Sequence, residues 1–250
     1  TPPPPPPPNS EKEGAIMSSE MMDLEQVAIY LQRDQREVNK MASRGHLPGQ
    51  KVAGHWRFAR AEINHWIENQ LHAYDEKQLS ALETEHSKEP DGEVLLSAML
   101  SPASMAVPLP ASTRASVLKE LVGLAEQSWH VYDPDAILNA IKQREEMGST
   151  ALMSGVAIPH PRRPLPAALG ESVLAFGRTA SGIPFGAPNG ELTDVFFLVC
   201  CRDDRTHLRV LARLSRLLLR PAFLDDLRAA ETVQESWEVI RAAEESLPAE

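Results

Sequence analysis

A histidine held between two prolines at the end of an apolar run is the best-placed nucleophile of this chain: Gly155-Val156-Ala157-Ile158-Pro159-His160-Pro161-Arg162-Arg163. Pro161 disfavours helical backbone at His160, and Pro159 does the same at Ile158, so a stiff, extended strand end presents the imidazole. Such presentation suits phosphoryl acceptance, in which a neutral ring nitrogen must hold in-line geometry against its donor. Taken alone, the pattern reads more simply as a surface histidine in a proline-rich loop.

A second histidine changes that balance. Asp203-Asp204-Arg205-Thr206-His207-Leu208 reads as the first turn of a leucine-lined helix, where free amides and the positive dipole end favour an anion. His207 is able to donate to a phosphoryl oxygen there, or it simply faces solvent as a turn residue. Arg144 lies near the end of a helix closing at Gly148, where a guanidinium is ordinarily no more than a favourable charge. As metal ligands, His160 and His207 lack a carboxylate or thiolate at a recognisable spacing, so neither metal nor cofactor is expected. Cys200 and Cys201 are the two cysteines; being adjacent, they form no ordinary disulfide and read as buried strand residues, with redox sensing as the alternative.

These residues need elements to hold them. Helices are expected around Ser116 to Gln127, from Asp133-Pro134 to Gly148, along Leu208, Leu211, Leu214, Leu217 and Leu218, and after Thr232, which has Glu235 in capping-box spacing. Strand-like segments Val173 to Arg178 and Val195 to Cys201 flank a turn at Pro188-Asn189-Gly190. Strands interleaved with helices imply an α/β class, a layered mixed sheet flanked by helices, over residues 93–250.

Residues 17–74 read differently. Asp23 with Gln26 and Asp34 with Glu37 have N-cap to N3 spacing, and Gly45 is placed to end a second short helix. Gln50 to Phe58 form short extended runs about a Gly turn, and Ile63, Trp66, Ile67 and Leu71 line a third helix. The order is helix, turn, helix, small wing, helix, with Trp56, Phe58 and Trp66 expected in its core. Ahead of it, residues 1–16 carry the run Pro2 to Pro8 and read as a disordered tail. Residue 1 is not Met, and Met17, Met21 and Met22 are candidate starts. Residues 75–92 are acidic, end in Glu89-Pro90-Asp91-Gly92, and read as a solvated linker or a fraying helix extension.

The net charge of −10 argues against nucleic acid until its distribution is read. From Gln32 to Arg60, Arg33, Arg36, Lys40, Arg44, Lys51, Arg57 and Arg60 oppose Asp34 and Glu37, so one small module is basic and the acid excess lies elsewhere. No apolar run reaches the ~20 residues that span a bilayer, and residues 1–16 lack the pattern of a signal peptide. A cytoplasmic protein without membrane insertion is expected.

The run Asp133 to Arg162, with Ser181 to Gly190 and Thr206 to Leu214, resembles the fructose, mannitol and nitrogen-regulatory enzyme IIA family of the bacterial phosphotransferase system, over nearly all of the second domain. That resemblance implies that His160 accepts a phosphoryl group from an HPr-type carrier, that His207 assists at it, and that Arg144 contributes positive charge. Two departures stand out: Pro161 replaces a glycine common in the family, removing a backbone donor, and Cys200-Cys201-Arg202 replaces a proline-containing strand end.

Residues 23–70 resemble the excisionase-like, MerR-type helix-turn-helix module through Leu24 to Leu31, Arg44-Gly45-His46-Leu47-Pro48 and Trp56-Arg57-Phe58. The resemblance implies DNA as a partner, with Gln35, Arg36, Asn39 and Lys40 facing the major groove and Lys51, Arg57 and Arg60 meeting phosphates. The alternative for these residues is a solvated face. Together the two resemblances imply a phosphocarrier acting as a regulator through DNA. The competing class is a plain phosphocarrier feeding a sugar permease, its N-terminal module making protein contacts. Homo-oligomerisation is left open.

Overall fold

A computed structural model describes residues 21–31, 33–85 and 95–248. The expected tail at 1–16 lies outside the described residues, as does the 86–92 part of the expected linker. The chain divides into two compact units, Thr1–Asn69 and Gln70–Glu250.

The smaller unit contains β1 (Met21–Met22), α1 (Leu24–Tyr30), α2 (Gln35–Ser43), β2 (Gln50–Val52), β3 (His55–Ala59) and α3 (Arg60–Gln70). Asp23 opens α1 with a closed capping box: its carboxylate accepts from the Gln26 amide at 2.8 Å, and the Gln26 side chain accepts from the Asp23 amide at 2.9 Å. Asp34 caps α2 through the Arg36 amide at 2.8 Å. Glu37 does not close the second box, because it pairs instead with Arg33 one turn back.

Gly45 stops α2 at φ +73°, with its amide on the Ala42 carbonyl at 3.1 Å and that of His46 on Met41 at 2.9 Å. Ala53 and Gly54 both take positive φ, the backbone a two-residue hairpin turn requires between β2 and β3. Strand β3 lies between β1 and β2 in an antiparallel sheet. Val27, Val38, Leu47, Phe58, Ile63 and Ile67 form the buried core. Trp56 and Trp66, expected in that core, are half-buried. Each indole N–H needs a polar partner, and these find Asn39 and the His46 carbonyl near the surface.

In the larger unit, α4 (Glu76–Glu85), α5 (Leu96–Met99) and β4 (Met105–Ala106) precede α6 (Arg114–Glu126), α7 (Pro134–Glu146) and β5 (Val156–Ala157). Strands β6 (Val173–Ile183) and β7 (Thr193–Cys200) follow, then α8 (Asp204–Leu218), α9 (Pro221–Ala229) and α10 (Val233–Glu245). The sheet order is β4-β6-β7-β5, with β6 and β7 antiparallel and the short edge strands parallel to their neighbours. Strand β7 is buried on both faces. Phe196, Leu198 and Cys200 join one core with Val117, Leu121, Ile137 and Ile141 of α6 and α7. On the opposite face Phe197 meets its register partner Phe176 at 5.0 Å. Among the described residues, no helix is long and apolar enough to cross a membrane.

The stretch expected as a solvated linker is corrected in part. Residues 76–85 form α4, which packs along α8 and buries Leu79 completely. Its acidic side chains are paired: Glu83 lies 2.8 Å from Arg213 and 2.7 Å from Arg216, and Glu76 lies 2.8 Å from Arg216. Composition alone reads as a solvated linker or a fraying helix extension, but counter-ions on a helix distant in sequence draw residues 76–85 into the domain.

Candidate functional site

Strands β5 and β7 run parallel, Val156 opposite Val195 and Ala157 opposite Phe196, so their carboxyl ends open on the same edge. In open α/β sheets that edge is where ligand sites gather. His160 follows β5, and His207 follows β7 on the first turn of α8. Topology thus brings together two histidines far apart in sequence.

The backbone around His160 is held on both sides. The Ile158 amide donates to the Thr150 carbonyl at 3.3 Å, and the Pro159 carbonyl accepts from the Val199 amide at 3.0 Å. Nδ1 of His160 lies 2.7 Å from the Ile158 carbonyl oxygen. A carbonyl only accepts, so Nδ1 carries a hydrogen, which in a neutral imidazole makes Nε2 the basic nitrogen. The His160 and His207 rings lie 5.0 Å apart between centroids, their planes inclined at 56°. Both are buried, 4% and 6% exposed, so His207 is not the solvent-facing turn residue that position alone allowed.

Helix α8 is opened by Asp203, whose carboxylate accepts from the Thr206 amide and hydroxyl, each at 2.8 Å. His207 sits one residue further on, at the positive end of the helix dipole. Its ring thereby lines a place where developing negative charge is favoured.

Arg144 is buried in the last turn of α7, and its guanidinium donates to the Gly148 carbonyl at 3.0 Å. The neighbouring Glu145 was not singled out from sequence. Its carboxylate accepts from the Thr150 amide at 3.2 Å and from the Thr150 hydroxyl, while Arg114 donates to its backbone carbonyl at 2.7 Å and pairs with the carboxylate. Thr150 in turn anchors Ile158, so Glu145 braces the segment that presents His160. A signal existed: carboxylates at a helix C-terminus face the unfavourable dipole end and need a compensating partner. Cys200 and Cys201 are buried, and burial pushes the Cys200 thiol up to about 12, far from thiolate chemistry.

In the smaller unit, Gln35, Arg36, Asn39 and Lys40 share the exposed arc of α2, opposite buried Val38 and Ala42. Asn39 Oδ1 accepts from the Trp56 indole of β3 at 2.8 Å. Lys51 of β2 sits over the Trp56 ring at 5.1 Å, and Arg57 is exposed on β3. Arg60 is half-buried over the Tyr30 ring at 5.2 Å.

The molecule therefore joins a winged helix-turn-helix unit to an α/β domain with paired buried imidazoles. That α/β domain carries the sequence profile of the phosphoenolpyruvate-dependent sugar phosphotransferase system EIIA 2 family over residues 99–243, and the chain belongs to that family. A helix-turn-helix domain profile matches residues 21–71. The PTS system fructose-specific EIIA component of Haloferax volcanii is 32% identical over 133 residues, covering 52% of this chain and 84% of that protein. The fructose-specific EIIABC component of Bacillus subtilis is 31% identical over 121 residues, covering 48% of this chain but 19% of that larger protein. The crystal structure of nitrogen regulatory protein IIA-Ntr from Neisseria meningitidis shares the fold. It is 23% identical with a TM-score of 0.52, over 58% of this chain and 97% of that one.

Proposed function

We propose that the larger unit is a phosphohistidine carrier that takes its phosphoryl group on Nε2 of His160 from an HPr-type protein, and that the smaller unit directs it to DNA as a cytoplasmic regulator. The observation that carries the first part is the hydrogen bond from Nδ1 to the Ile158 carbonyl, which supports the tautomer that uses Nε2 as nucleophile. In the transfer, the Nε2 lone pair forms the new N–P bond as the donor's N–P bond breaks, its electron pair returning to the donor nitrogen. Nδ1–H keeps its carbonyl throughout, which steadies the ring and stabilises the positive charge that develops on it. His207 and Arg144 supply hydrogen-bond donors or charge to the phosphoryl oxygens. The regulatory part is supported by the exposed polar and basic arc of α2 and the family profile over residues 21–71.

Incubation with a phosphorylated HPr-type carrier tests the reading. Acid-labile label should reach the peptide containing His160 and be absent from folded His160→Ala. Label mapped to His207 in the wild type would overturn the assignment.

A further inference from the structure

Resting on the phosphocarrier reading above, we infer that Arg114, Glu145 and Thr150 form a positioning unit for phosphoryl transfer, which aims the backbone carbonyl that in turn orients the His160 ring. They act along a line of hydrogen bonds. The Arg114 guanidinium donates to the Glu145 carboxylate and, at 2.7 Å, to the Glu145 backbone carbonyl. That carboxylate accepts from the amide and the hydroxyl of Thr150. The Thr150 carbonyl accepts from the Ile158 amide at 3.3 Å, and the Ile158 carbonyl accepts from Nδ1 of His160 at 2.7 Å.

Pro159 keeps Ile158 extended, and in extended backbone the amide and carbonyl of one residue point to the same side, as in the hydrogen-bonded pairs of an antiparallel ladder. Tying the Ile158 amide to Thr150 therefore also aims the Ile158 carbonyl. Residues 150–152 run back against β5: Ala151 bridges Ala157, and the Leu152 amide donates to the Val156 carbonyl at 2.7 Å. A shift at Thr150 is thus carried along the arm that ends at His160. The start of that arm is pinned a second time, by the Ser149 hydroxyl donating to the Phe185 carbonyl at 2.8 Å.

Stability alone does not account for the pair. Arg114 opens α6 and Glu145 lies in the last turn of α7, so each charge stands at the unfavourable end of its helix dipole. The Glu145 side chain is 2% exposed, and a buried ion pair is often no more stabilising than apolar residues of its size. Local rules broken in this way gather at functional sites. A carboxylate does here what an apolar side chain cannot: it receives two donors of one residue, the amide and hydroxyl of Thr150, and so fixes that residue's orientation.

Quench-flow transfer from a phosphorylated HPr-type carrier to the full chain gives a maximal rate constant and a half-saturating carrier concentration, and nitrogen NMR of the histidine rings gives the His160 tautomer. Glu145→Ala should lower the maximal rate about 10- to 100-fold, the scale of a ~1 Å misplacement, with half-saturation held within about twofold. Thr150→Val keeps the shape and the amide but loses the hydroxyl; it should lower the maximal rate by less, and it serves as the test where Glu145→Ala folds poorly. Both should reduce the share of His160 carrying its hydrogen on Nδ1. A wild-type maximal rate and tautomer in folded Thr150→Val overturn the inference even if its Tm falls, and so does a loss confined to half-saturation; either leaves phosphoryl acceptance by His160 standing. A wild-type chain that takes no label from the carrier overturns the phosphocarrier reading and the inference with it.

Discussion

Replacing Glu83 by alanine should destabilise the larger unit by about 3 kcal/mol, although the residue lies in a stretch whose composition reads as linker. Glu83 is buried and pairs with two guanidiniums at 2.8 and 2.7 Å. Breaking a buried ion pair by removing one partner costs about 3–5 kcal/mol, because the remaining charge is left in a poorly solvating site. Here the lower end applies. Arg216 retains Glu76 at 2.8 Å, and Arg213 retains Glu244 at 3.5 Å. At about 2–4 °C per kcal/mol for a unit of this size, the expected fall in Tm is about 6–12 °C. Glu83→Gln keeps one acceptor oxygen and should lose roughly half as much. Calorimetry of the full chain measures the shift, and hydrogen exchange of amides 76–85 reports whether α4 is docked. A solvent-exposed linker residue would change stability by no more than about 0.5 kcal/mol. A Tm shift under about 2 °C, with wild-type amides 76–85 exchanging at unprotected rates, would therefore refute the docked-helix account.

His207→Ala and Arg144→Ala should each slow phosphoryl transfer to His160 by about 10- to 1,000-fold, the scale of one lost transition-state donor; wild-type rates in both would remove them from the site. Cys200, with its thiol pushed up to about 12 by burial, should resist alkylation in the native protein at pH 8, where such a group is about 10⁻⁴ thiolate, and react on unfolding. Rapid native labelling of Cys200 would contradict its burial. Phosphorylation of His160 should change DNA affinity, and the part due to added charge alone should be small and salt-sensitive, since charges beyond about 8–10 Å are screened. Identical affinities of both forms at low and high salt would eliminate the switch.

Local chemistry made much of the larger unit legible. Pro159 and Pro161 mark the strand end at His160, Asp133-Pro134 opens α7 as written, and Thr232 with Glu235 closes a capping box on α10. Asn189-Gly190 turns the chain between β6 and β7, although β6 continues past Arg178 through a register shift to Ile183. What sequence withheld depends on partners distant along the chain. Glu83 and Arg216 are 133 positions apart, and nothing near either one names the other. Trp56 and Asn39 are 17 apart on different elements, so Asn39 read as an unengaged groove residue and Trp56 as plain core. Glu145 was legible in principle, as a carboxylate at the wrong end of a helix.

Helix α8 depends in the same way on partners distant along the chain. Its leucine side was expected to face a core, which by itself leaves Arg209, Arg213 and Arg216, recurring at i, i+4 and i+7, to form a hydrated face. All three are buried. Leu79 supplies apolar burial between α4 and α8, yet leucine contacts tolerate sliding, and a one-turn slip of about 5.4 Å would keep much of that area. Charge does not tolerate it. Glu76 and Glu83 stand two turns apart and meet Arg213 and Arg216 in one register, so a slip would strand buried guanidiniums. The arginine fork, with several donors in fixed geometry, is suited to spanning two carboxylates. The ion pairs therefore set where α4 lies more than how strongly it is held, and residues 76–85 fold as part of the helix layer whose first turn carries His207.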